Sequence, residues 1–450
     1  MPKNEHSVRR TGARSVAFDV LLKGIRSGSY ANLALDAALS ASGLTESDAA
    51  LCARLVYGII EKQVTLDYVL NAYTSAPMDA LDDDVRTALR MGLYQLRDMD
   101  KIPEHAALNE TVSLVSNRKR GFVNAVLRQY LREPGRCVFP DPETAPSESL
   151  SVRTGVPLPL VQKLSDELGF ETAASLLTSP PLSPLTLRVN TLRVGRDELL
   201  ARLRLDHPEL TFDPTPISPV GILCSGGHPS RLSGFSDGLF FVQDESSQIC
   251  TCAAGLKPGM TVLDVCACPG SKSLAFAIDL MDRGLVLSRD LHANKLSLIQ
   301  SSAERLGLTS IRTSPFDART TDPDWVGKAD AVLCDVPCSG YGVIFKKPEI
   351  RHKDPASSSG LPAVQRQILE ASSAYVRSGG KLIYSTCTLL PEENEGVVRA
   401  FLSRHPRFIL QSVSVGSLEI LGMQTLYPHI HHTDGFFFAV MKLEDSIDAI

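Results

Sequence analysis

The sequence lacks long apolar runs, and no segment approaches the ~18 consecutive uncharged apolar residues of a membrane-spanning helix. The first residues, MPKNEHSVRRTGARSVAF, are basic but lack the apolar core of a secretory signal peptide. Both absences argue against a membrane or secreted protein. We therefore expect a cytoplasmic protein that has no membrane partner.

Cysteine is also scarce, with ten cysteines spread irregularly over 450 residues. A disulfide scaffold needs a denser pattern, so we expect reduced thiols in an intracellular protein. Two C-x-C pairs, Cys250 with Cys252 and Cys266 with Cys268, invite a zinc interpretation. Structural zinc ligands are usually separated by about two to four residues, so we expect no metal at this place. Individual thiols remain candidates for chemistry.

A strong charge of one sign is absent as well, since the formal net charge is only −5. This balance argues against indiscriminate attraction to nucleic acid but allows local basic patches. One such cluster contains Arg118, Lys119, Arg120, Arg128 and Arg132. It is either a solvated face of a helix or a surface that contacts RNA phosphates.

The N-terminal part shows helical periodicity without strand alternation. Apolar residues recur at helical spacing from Val16 to about Arg132. Thr45 and Asp48 form a capping-box pattern ahead of one of the helices. These features predict an all-α domain over residues 1–134.

The remaining chain, whose total length corresponds to about three domains, changes character twice. Residues 135–150 are rich in proline, serine and acidic residues and are predicted to be a linker. Residues 151–235 mix a helical stretch with short strand-like pieces, which predicts a small α+β module. Residues 236–450 alternate short apolar runs with helical stretches. The fold class is therefore multidomain, and no pattern indicates a dimer interface, so we expect a monomer.

The C-terminal segment predicts a doubly wound α/β domain. The predicted strands are TVLDV, GLVLSRD, DAVLCD and KLIYST, and the predicted helices lie near residues 271–281, 293–306, 361–377 and 391–404. Nearly continuous apolar strands separated by helices are typical of a parallel sheet that is buried on both faces. Ligands of such Rossmann-like sheets bind at the carboxyl ends of the strands.

Those strand ends carry glycine and acidic residues. The loop DVCACPGSKS opens directly into a helix, so its backbone N–H groups can approach a ligand. Asp290 ends the second predicted strand, where a carboxylate can accept hydrogen bonds from ribose hydroxyls. Asp317 lies in SPFDAR, past a further strand between GLVLSRD and DAVLCD, and Asp335 closes DAVLCD. Together they indicate a site for a cofactor that contains a nucleoside.

The cofactor is either a dinucleotide or S-adenosylmethionine. A dinucleotide needs a tight glycine fingerprint for its pyrophosphate, and this loop has Cys, Ala, Cys and Pro instead. S-adenosylmethionine has no phosphate, so it fits the loop better.

Two cysteines follow neighbouring predicted strands. Cys338 lies in the loop of VLCDVPCSGYGV, and Cys387 lies in YSTCTLLPEENEGVV, ahead of a helix that is expected to begin near Pro391. A thiolate that adds to carbon 6 of a pyrimidine makes carbon 5 nucleophilic enough to attack a methyl group. A base must then remove the carbon 5 proton before the thiolate can leave.

These residues resemble the RNA cytosine-C5 methyltransferases of the NOL1/NOP2/Sun family. The successive motifs are FVQDESSQI, LDVCACPGSKS, DVPCSGYGV, YSTCTLLPEEN and DGFFFAVMKL. The helical domain with RGFVNAVLR resembles the NusB-like RNA-binding module of a bacterial branch that acts on small-subunit (16S) ribosomal RNA. The resemblance covers nearly the whole chain.

The resemblance implies a role for each matching residue. Cys387 would be the nucleophile, Cys338 would assist product release, and Asp335 would lie close to the target cytosine. The cofactor would be held by Cys266, Ala267, Cys268, Pro269, Gly270, Ser271, Lys272, Asp290, Asp317 and Asp335.

The chain departs from the family pattern at several positions. Its loop reads CACPGSK where CAAPGGK is usual, so Cys268 and Ser271 add side chains beside the cofactor. Arg289 stands where a small or apolar residue is common, and Ala318 replaces a usual glycine. None of the acidic or nucleophilic positions is lost.

A second basic stretch, KKPEIRHKD, directly follows the Cys338 loop. Its Lys346, Lys347 and Arg351 are expected to steer RNA phosphates, although a solvated charge run is the simpler interpretation.

Two other functions compete with cytosine-C5 methylation. An exocyclic amino methyltransferase would need an aromatic residue, not a thiol, where Cys338 stands. A non-catalytic NusB-like RNA-binding or antitermination factor would not need to keep Cys387, Cys338 and Asp335.

Overall fold

The computed structural model describes residues 12–27, 31–180 and 185–445. The chain divides into two units, one of Met1–Thr178 with Lys347–Asp354 and one of Ser179–Lys346 with Pro355–Ile450. This division differs from the predicted one, because the helical part of the expected middle module belongs to the first unit and its strands belong to the second.

The first unit is built from helices throughout its described residues. They are α1 (Ala13–Ser27), α2 (Ala31–Ser42), α3 (Glu46–Glu61), α4 (Gln63–Asn71), α5 (Asp83–Asp98), α6 (Glu104–Ser113), α7 (Asn117–Arg132), α8 (Pro146–Thr154), α9 (Leu158–Leu168) and α10 (Phe170–Leu177). The N-cap half of the predicted capping box is confirmed, since the Asp48 backbone N–H donates to Thr45 Oγ1 at 3.2 Å, whereas the Asp48 carboxylate accepts from the Thr45 hydroxyl at 2.9 Å. Along α5, Val85, Leu89 and Leu93 are buried at helical spacing, so one apolar stripe packs this helix into the unit's core.

The second unit contains all the strands of the described chain. The strands are β1 (Leu185–Val189), β2 (Phe212–Pro214), β3 (Gly221–Cys224), β4 (Phe240–Val242), β5 (Thr261–Asp264), β6 (Leu285–Asp290), β7 (Ile311–Pro315), β8 (Ala329–Asp335), β9 (Val376–Thr386), β10 (Phe408–Leu410), β11 (Ser412–Val415), β12 (Leu418–Leu421), β13 (Met423–Leu426) and β14 (Phe436–Leu443). Its helices are α11 (Arg196–Asp206), α12 (Glu245–Ala253), α13 (Ser271–Asp279), α14 (Leu296–Leu306), α15 (Leu361–Ser373), α16 (Glu395–Leu402) and α17 (Pro428–His431). None of the helices in the described ranges is long and apolar enough to span a membrane.

The larger sheet has the order β10-β14-β9-β8-β5-β6-β7, and β13 pairs with β14. Strands β7, β6, β5, β8 and β9 are parallel, whereas β14 joins β9 in antiparallel pairing. The predicted doubly wound parallel sheet is thus confirmed, with an antiparallel extension at one side. The expected neighbours β8 and β9 do pair, with Asp335 opposite Ser385. A separate antiparallel sheet, β2-β3-β1-β4, contains the strands of the predicted α+β module.

The core lies on both faces of the parallel sheet. Val262 of β5 and Ala331 of β8 pack into one apolar cluster, while their neighbours Leu263 and Val332 pack into the other. Successive side chains of a strand point to opposite faces, so near-continuous apolar sequence is what such a strand requires. Burial of each such valine or leucine is worth about 1.5–3 kcal/mol.

One helix begins later than predicted. The sequence predicts a helix from about Pro391, but α16 begins at Glu395, eight residues after Cys387. The intervening side chains hold a loop instead: Thr386 Oγ1 donates to Asn394 Oδ1 at 2.6 Å, and Asn394 Nδ2 donates to the Thr388 carbonyl at 3.1 Å. The helix N-terminus is therefore farther along the chain from this thiol than expected.

Candidate active site

A cavity of about 490 Å³ opens at the carboxyl ends of the parallel strands. This volume is within the range of about 300–1,000 Å³ that is typical of small-molecule sites. Seven of the predicted site residues line it, namely Cys266, Cys268, Asp290, Asp317, Asp335, Cys338 and Cys387. Tertiary folding thus brings the strand-end residues to one place, as the parallel topology requires.

The two loop cysteines touch inside this cavity. Cys338 Sγ and Cys387 Sγ are 3.4 Å apart. The hydrogen bond with Cys387, followed by burial, raises the pKa of the Cys338 thiol well above its ordinary value. Cys338 is therefore kept protonated at neutral pH. The Gly342 backbone N–H donates to the Cys387 carbonyl at 2.9 Å, which ties the two loops together beyond the sulfur atoms.

A buried carboxylate that sequence reasoning missed also joins these loops. Glu393 Oε2 accepts from the Ser339 backbone N–H at 3.0 Å and from Gln365 Nε2 at 2.8 Å. Gln365 Nε2 also donates to the Pro337 carbonyl at 3.0 Å. Glu393 follows Cys387 in the chain and contacts both flanks of Cys338, directly at Ser339 and through Gln365 at Pro337.

Asp335 is held by two donors at the end of β8. Lys272 Nζ donates to Asp335 Oδ2 and Ser385 Oγ donates to Oδ1, both at 2.7 Å. Burial lowers the pKa of the Lys272 ammonium, but the nearby Asp335 carboxylate more than offsets this, so the pKa is raised overall. The ammonium stays charged, lies 5.1 Å from the Phe436 ring centroid and interacts electrostatically with Cys387. A neighbouring cation favours the thiolate form of a cysteine.

Two carboxylates stand at the other end of the cavity. Asp290 accepts the Cys268 backbone N–H at 3.2 Å on one oxygen and the His292 N–H at 2.9 Å on the other. An ionised carboxylate has about four acceptor sites, so Asp290 keeps capacity for ligand hydroxyls. Asp317 forms an ion pair with Arg319 at 2.6 Å, and the hydrogen bonds from Arg319 lower the pKa of this carboxyl to about 2.

The loop between β5 and α13 fits closely against the fold. Gly270 has a φ of +111°, and a Cβ at this position would lie 2.8 Å from Ile299 Cγ1. Only glycine meets both demands without strain. Ala267, Pro269, Gly270, Ser271 and Lys272 do not line the cavity themselves. Within this stretch, Cys266 and Cys268 are the residues that line the cavity.

Cys268 and Ser271, the two departures from the usual loop sequence, differ in whether they line the cavity. Cys268 lines the cavity, and burial, followed by the charge of Asp290, raises the pKa of its thiol to about 12. Cys268 is therefore a neutral thiol at the cavity wall. Ser271 instead begins α13, and its carbonyl accepts from Gln243 Nε2 at 3.2 Å.

The basic residues of the first unit have mixed surroundings. Arg118, Arg120 and Arg128 are exposed on α7. Lys119 is engaged by Asp82 at 2.8 Å and Asp84 at 2.6 Å. Of the four predicted RNA-binding residues on this helix, Lys119 is the one whose charge is already paired.

The second basic stretch departs from the predicted phosphate-steering surface. Arg351 is only 2 % exposed and forms an ion pair with Glu61 at 3.4 Å, so it is not available as a surface contact. Lys346 lies between Asp244 at 2.5 Å and Asp434 at 3.2 Å. Lys347 is the exposed member of the three. The sequence showed a charge run, but its carboxylate partners are distant in the chain.

Further cavity residues were not predicted. They include His292, Lys295, Phe316, Val364 and Ile368. His292 and Phe316 adjoin predicted acids, so extending each strand end by a residue or two would have included them. Val364 and Ile368 belong to α15, and no local signal connects a helix face to this cavity.

Comparisons with known proteins agree with this architecture. Residues 253–442 match the family described as 16S rRNA methyltransferase RsmB/F, and residues 11–132 match the NusB family. The probable ribosomal RNA small subunit methyltransferase B of Bacillus subtilis is 35% identical over 97% of this chain and 99% of its own length. Its counterpart in Sodalis glossinidius is 34% identical over 98% and 99% of the two chains. The crystal structure of PH0851 has a TM-score of 0.77 at 26% identity, covering 95% of this chain and 98% of the other.

Proposed function

We propose that this chain, which belongs to the family of ribosomal RNA small subunit methyltransferase B, methylates carbon 5 of a cytosine in 16S ribosomal RNA. This family depends on S-adenosylmethionine and has a NusB domain. The proposed reaction proceeds through a covalent bond between Cys387 and carbon 6 of the cytosine. The observation that carries this proposal is the contact of Cys338 and Cys387 at 3.4 Å beside the Lys272–Asp335 pair.

The proposed reaction begins at Cys387. Its thiolate, favoured by the ammonium of Lys272, adds to carbon 6 of the target base, and the ring then becomes nucleophilic at carbon 5. Carbon 5 takes the methyl group, and a base removes the carbon 5 proton so that the carbon–sulfur bond breaks and Cys387 leaves as thiolate. The cytosine must be unpaired or flipped for carbon 6 to reach the thiol.

Cys338 is proposed to act in the release step. Its protonated thiol contacts Cys387 Sγ, so it can donate a proton to the Cys387 thiolate once the carbon–sulfur bond has broken. Asp335, fixed by Lys272 and Ser385, is proposed to lie against the target cytosine. A carboxylate held from two sides keeps its orientation during the reaction.

The residues at the cavity fit S-adenosylmethionine, which supplies the methyl group when bound. Asp290 retains acceptor capacity for ribose hydroxyls, and Asp317 is ionised beside the same wall. We propose that Cys266, Cys268, Asp290 and Asp317 hold this cofactor, with Lys272 and Gly270 shaping the loop from behind.

We also propose RNA contacts by the exposed residues Arg118, Arg120, Arg128 and Lys347. Each phosphate contact contributes about 0.7–0.9 to the slope of log affinity against log salt. Replacing the three arginines with Ala should reduce this slope by about two to three, whereas Arg351→Ala should not change it in protein that still folds. An unchanged slope in the triple variant would remove these contacts from the proposal.

The decisive experiment compares Cys387→Ala, Cys338→Ala and the control Cys252→Ala, a partly buried cysteine of α12 outside the cavity lining. Each protein is incubated with labelled S-adenosylmethionine and under-modified small-subunit RNA and is then run on a denaturing gel. Cys338→Ala should accumulate a covalent protein–RNA adduct. Cys387→Ala should give neither adduct nor methylation, and the control should resemble wild type.

Other patterns would reject parts of the proposal. A covalent adduct with Cys387→Ala, together with neither adduct nor methylation with Cys338→Ala, would make Cys338 the nucleophile. Undiminished methylation in both variants would mean that the thiols are structural. Absence of both methylation and cofactor binding in wild type would favour the non-catalytic RNA-binding alternative.

A further inference from the structure

Arg289 occupies the penultimate position of β6, immediately before Asp290. Its side chain is buried, with only 5% exposure of the residue. Nη2 forms an ion pair with Asp322 Oδ2 at 2.6 Å. Nε and Nη1 are buried without a hydrogen-bond partner among the described residues. A buried charge with most of its donors unused needs another source of stabilisation.

Aromatic rings provide that stabilisation. The guanidinium carbon lies 4.5 Å from the Phe316 ring centroid and 5.9 Å from that of Trp325. Arginine stacks favourably on aromatic faces, and more so when both are removed from water. The contact therefore fixes the Phe316 ring as much as it fixes the arginine.

The arginine is anchored from its other side as well. Asp322 accepts the Asp324 backbone N–H on Oδ1 at 3.0 Å, and its own N–H donates to the Tyr375 hydroxyl at 2.8 Å. That hydroxyl donates in turn to the Thr320 carbonyl at 3.2 Å. Arg289 thus connects a rigid loop to the aromatic ring at the end of β7.

Phe316 also lines the cavity. It precedes Asp317, and its backbone N–H donates to the Asp290 carbonyl at 3.0 Å. The strand order places β7 at the opposite side of the parallel sheet from β8 and β9, which carry the thiols. A cofactor that presented its methyl group to the thiol side would place its purine toward β7.

We infer that Arg289 is a positioning residue for the cofactor. Its side chain holds Phe316 as an aromatic wall against the purine ring of S-adenosylmethionine. This inference rests on the proposed function for the presence of that cofactor. It assigns Arg289 and Phe316 to cofactor affinity and not to methyl transfer itself.

Arg289→Met tests the inference because methionine keeps an apolar side chain of similar reach without the charge. The matched control is Arg305→Met, whose guanidinium carbon lies 3.9 Å from the Phe235 ring, outside the cavity lining. Calorimetry with S-adenosylhomocysteine should give a Kd raised about tenfold for Arg289→Met and by less than about twofold for the control. At saturating cofactor, kcat should stay within about threefold of wild type.

A second pair of variants makes the result independent of a folding defect at Arg289. Phe316→Leu should raise the Kd by a similar factor, and the double variant should bind no more weakly than either single one, because both changes remove one stack. Fluorescence of Trp325, the single tryptophan of the chain, reports on the fold of this loop in each protein.

An unchanged Kd in Arg289→Met or Phe316→Leu overturns the inference, and so does an equal rise in the Arg305 control. Additive losses in the double variant overturn it too. Failure of the wild-type protein to bind S-adenosylhomocysteine would overturn the proposed function and, with it, this inference. Wild-type binding with an unaffected Arg289→Met rejects only the role of Arg289.

Discussion

Both ends of the cavity lie at the carboxyl ends of parallel strands, but their ion pairs differ in exposure to water. At the β8–β9 end, Asp335 pairs with Lys272, whose side chain is 10% exposed. At the β6–β7 end, Asp317 pairs with Arg319, whose side chain is 48% exposed. Charges that are shielded from water interact more strongly than solvated ones. The two acids are similarly exposed, at 30% and 32% of their side chains, so the two ends differ in the burial of the partner cation.

The largest difference between the two ends should appear on neutralising Asp335. Asp335→Asn leaves Lys272 without its carboxylate beside the thiols, so we expect single-turnover methylation to fall by at least about 10²-fold. The control is Asp330→Asn, at the other end of β8, where the carboxylate pairs with the half-exposed Arg377 at 2.6 Å. A rate within about threefold of wild type for Asp335→Asn would end its assignment to the reaction.

A smaller effect should follow from loosening the loop connection at the β8–β9 end. Glu393→Gln removes the charge that accepts from the Ser339 N–H and Gln365, so Cys338 should be less well positioned. We expect kcat to fall about tenfold with little change in KM. The neighbouring exposed Glu392, changed to Gln, is the control in the same steady-state assay. An equal fall in kcat for Glu393→Gln and Glu392→Gln would show that Glu393 does not position Cys338.

At the β6–β7 end, Asp317→Asn should have a milder effect. We expect the Kd of S-adenosylhomocysteine to rise about three- to fivefold, as for one solvated polar contact. Because the pKa of Asp317 is lowered to about 2, its ionised form is favoured above that pH and is lost only in strong acid. Calorimetry from pH 5 to 9 should therefore give parallel profiles for wild type and variant. Convergence of the two profiles at low pH within this range would contradict the assignment.

A further effect, on stability and not on activity or binding, concerns Asp264 at the end of β5, between the two ends. Burial raises the pKa of its carboxyl from 3.8 to about 7. The folded state binds this proton more tightly than the unfolded state, so the free energy of unfolding decreases as pH rises from about 4 to above 7.

Asp264→Asn removes this titration, so the melting temperature should fall less between pH 5 and 9 than in wild type. Scanning fluorimetry measures the slopes, and a change of about 1 kcal/mol corresponds to about 2–4 °C in a domain of this size. Asp330→Asn serves as the control. An identical slope in wild type and Asp264→Asn would mean that Asp264 is ionised throughout in the folded protein.

The parallel sheet and most of the candidate residues at its edge can be predicted from local sequence. The apolar runs of β5, β6 and β8 predict buried strands, and parallel strands bring their ends together whatever the loops do. The strand-end acids and the two loop cysteines are therefore predictable as neighbours from their positions in the chain. They are Asp290, Asp317, Asp335, Cys338 and Cys387, and all of them line the cavity. These predictions rest on local signals, which need no knowledge of distant partners.

Which side chains those residues contact follows from the packing of distant segments. The Glu393 connection to Ser339, the burial of Arg351 against Glu61 and the stack of Arg289 on Phe316 each join positions that are distant along the chain or that no periodicity links. Burial and neighbouring charge set a side chain's protonation and availability, and both depend on the packed neighbours. For this reason the candidate site residues can be located from the sequence, whereas the packed fold sets which basic residues remain available and which carboxylates stay ionised.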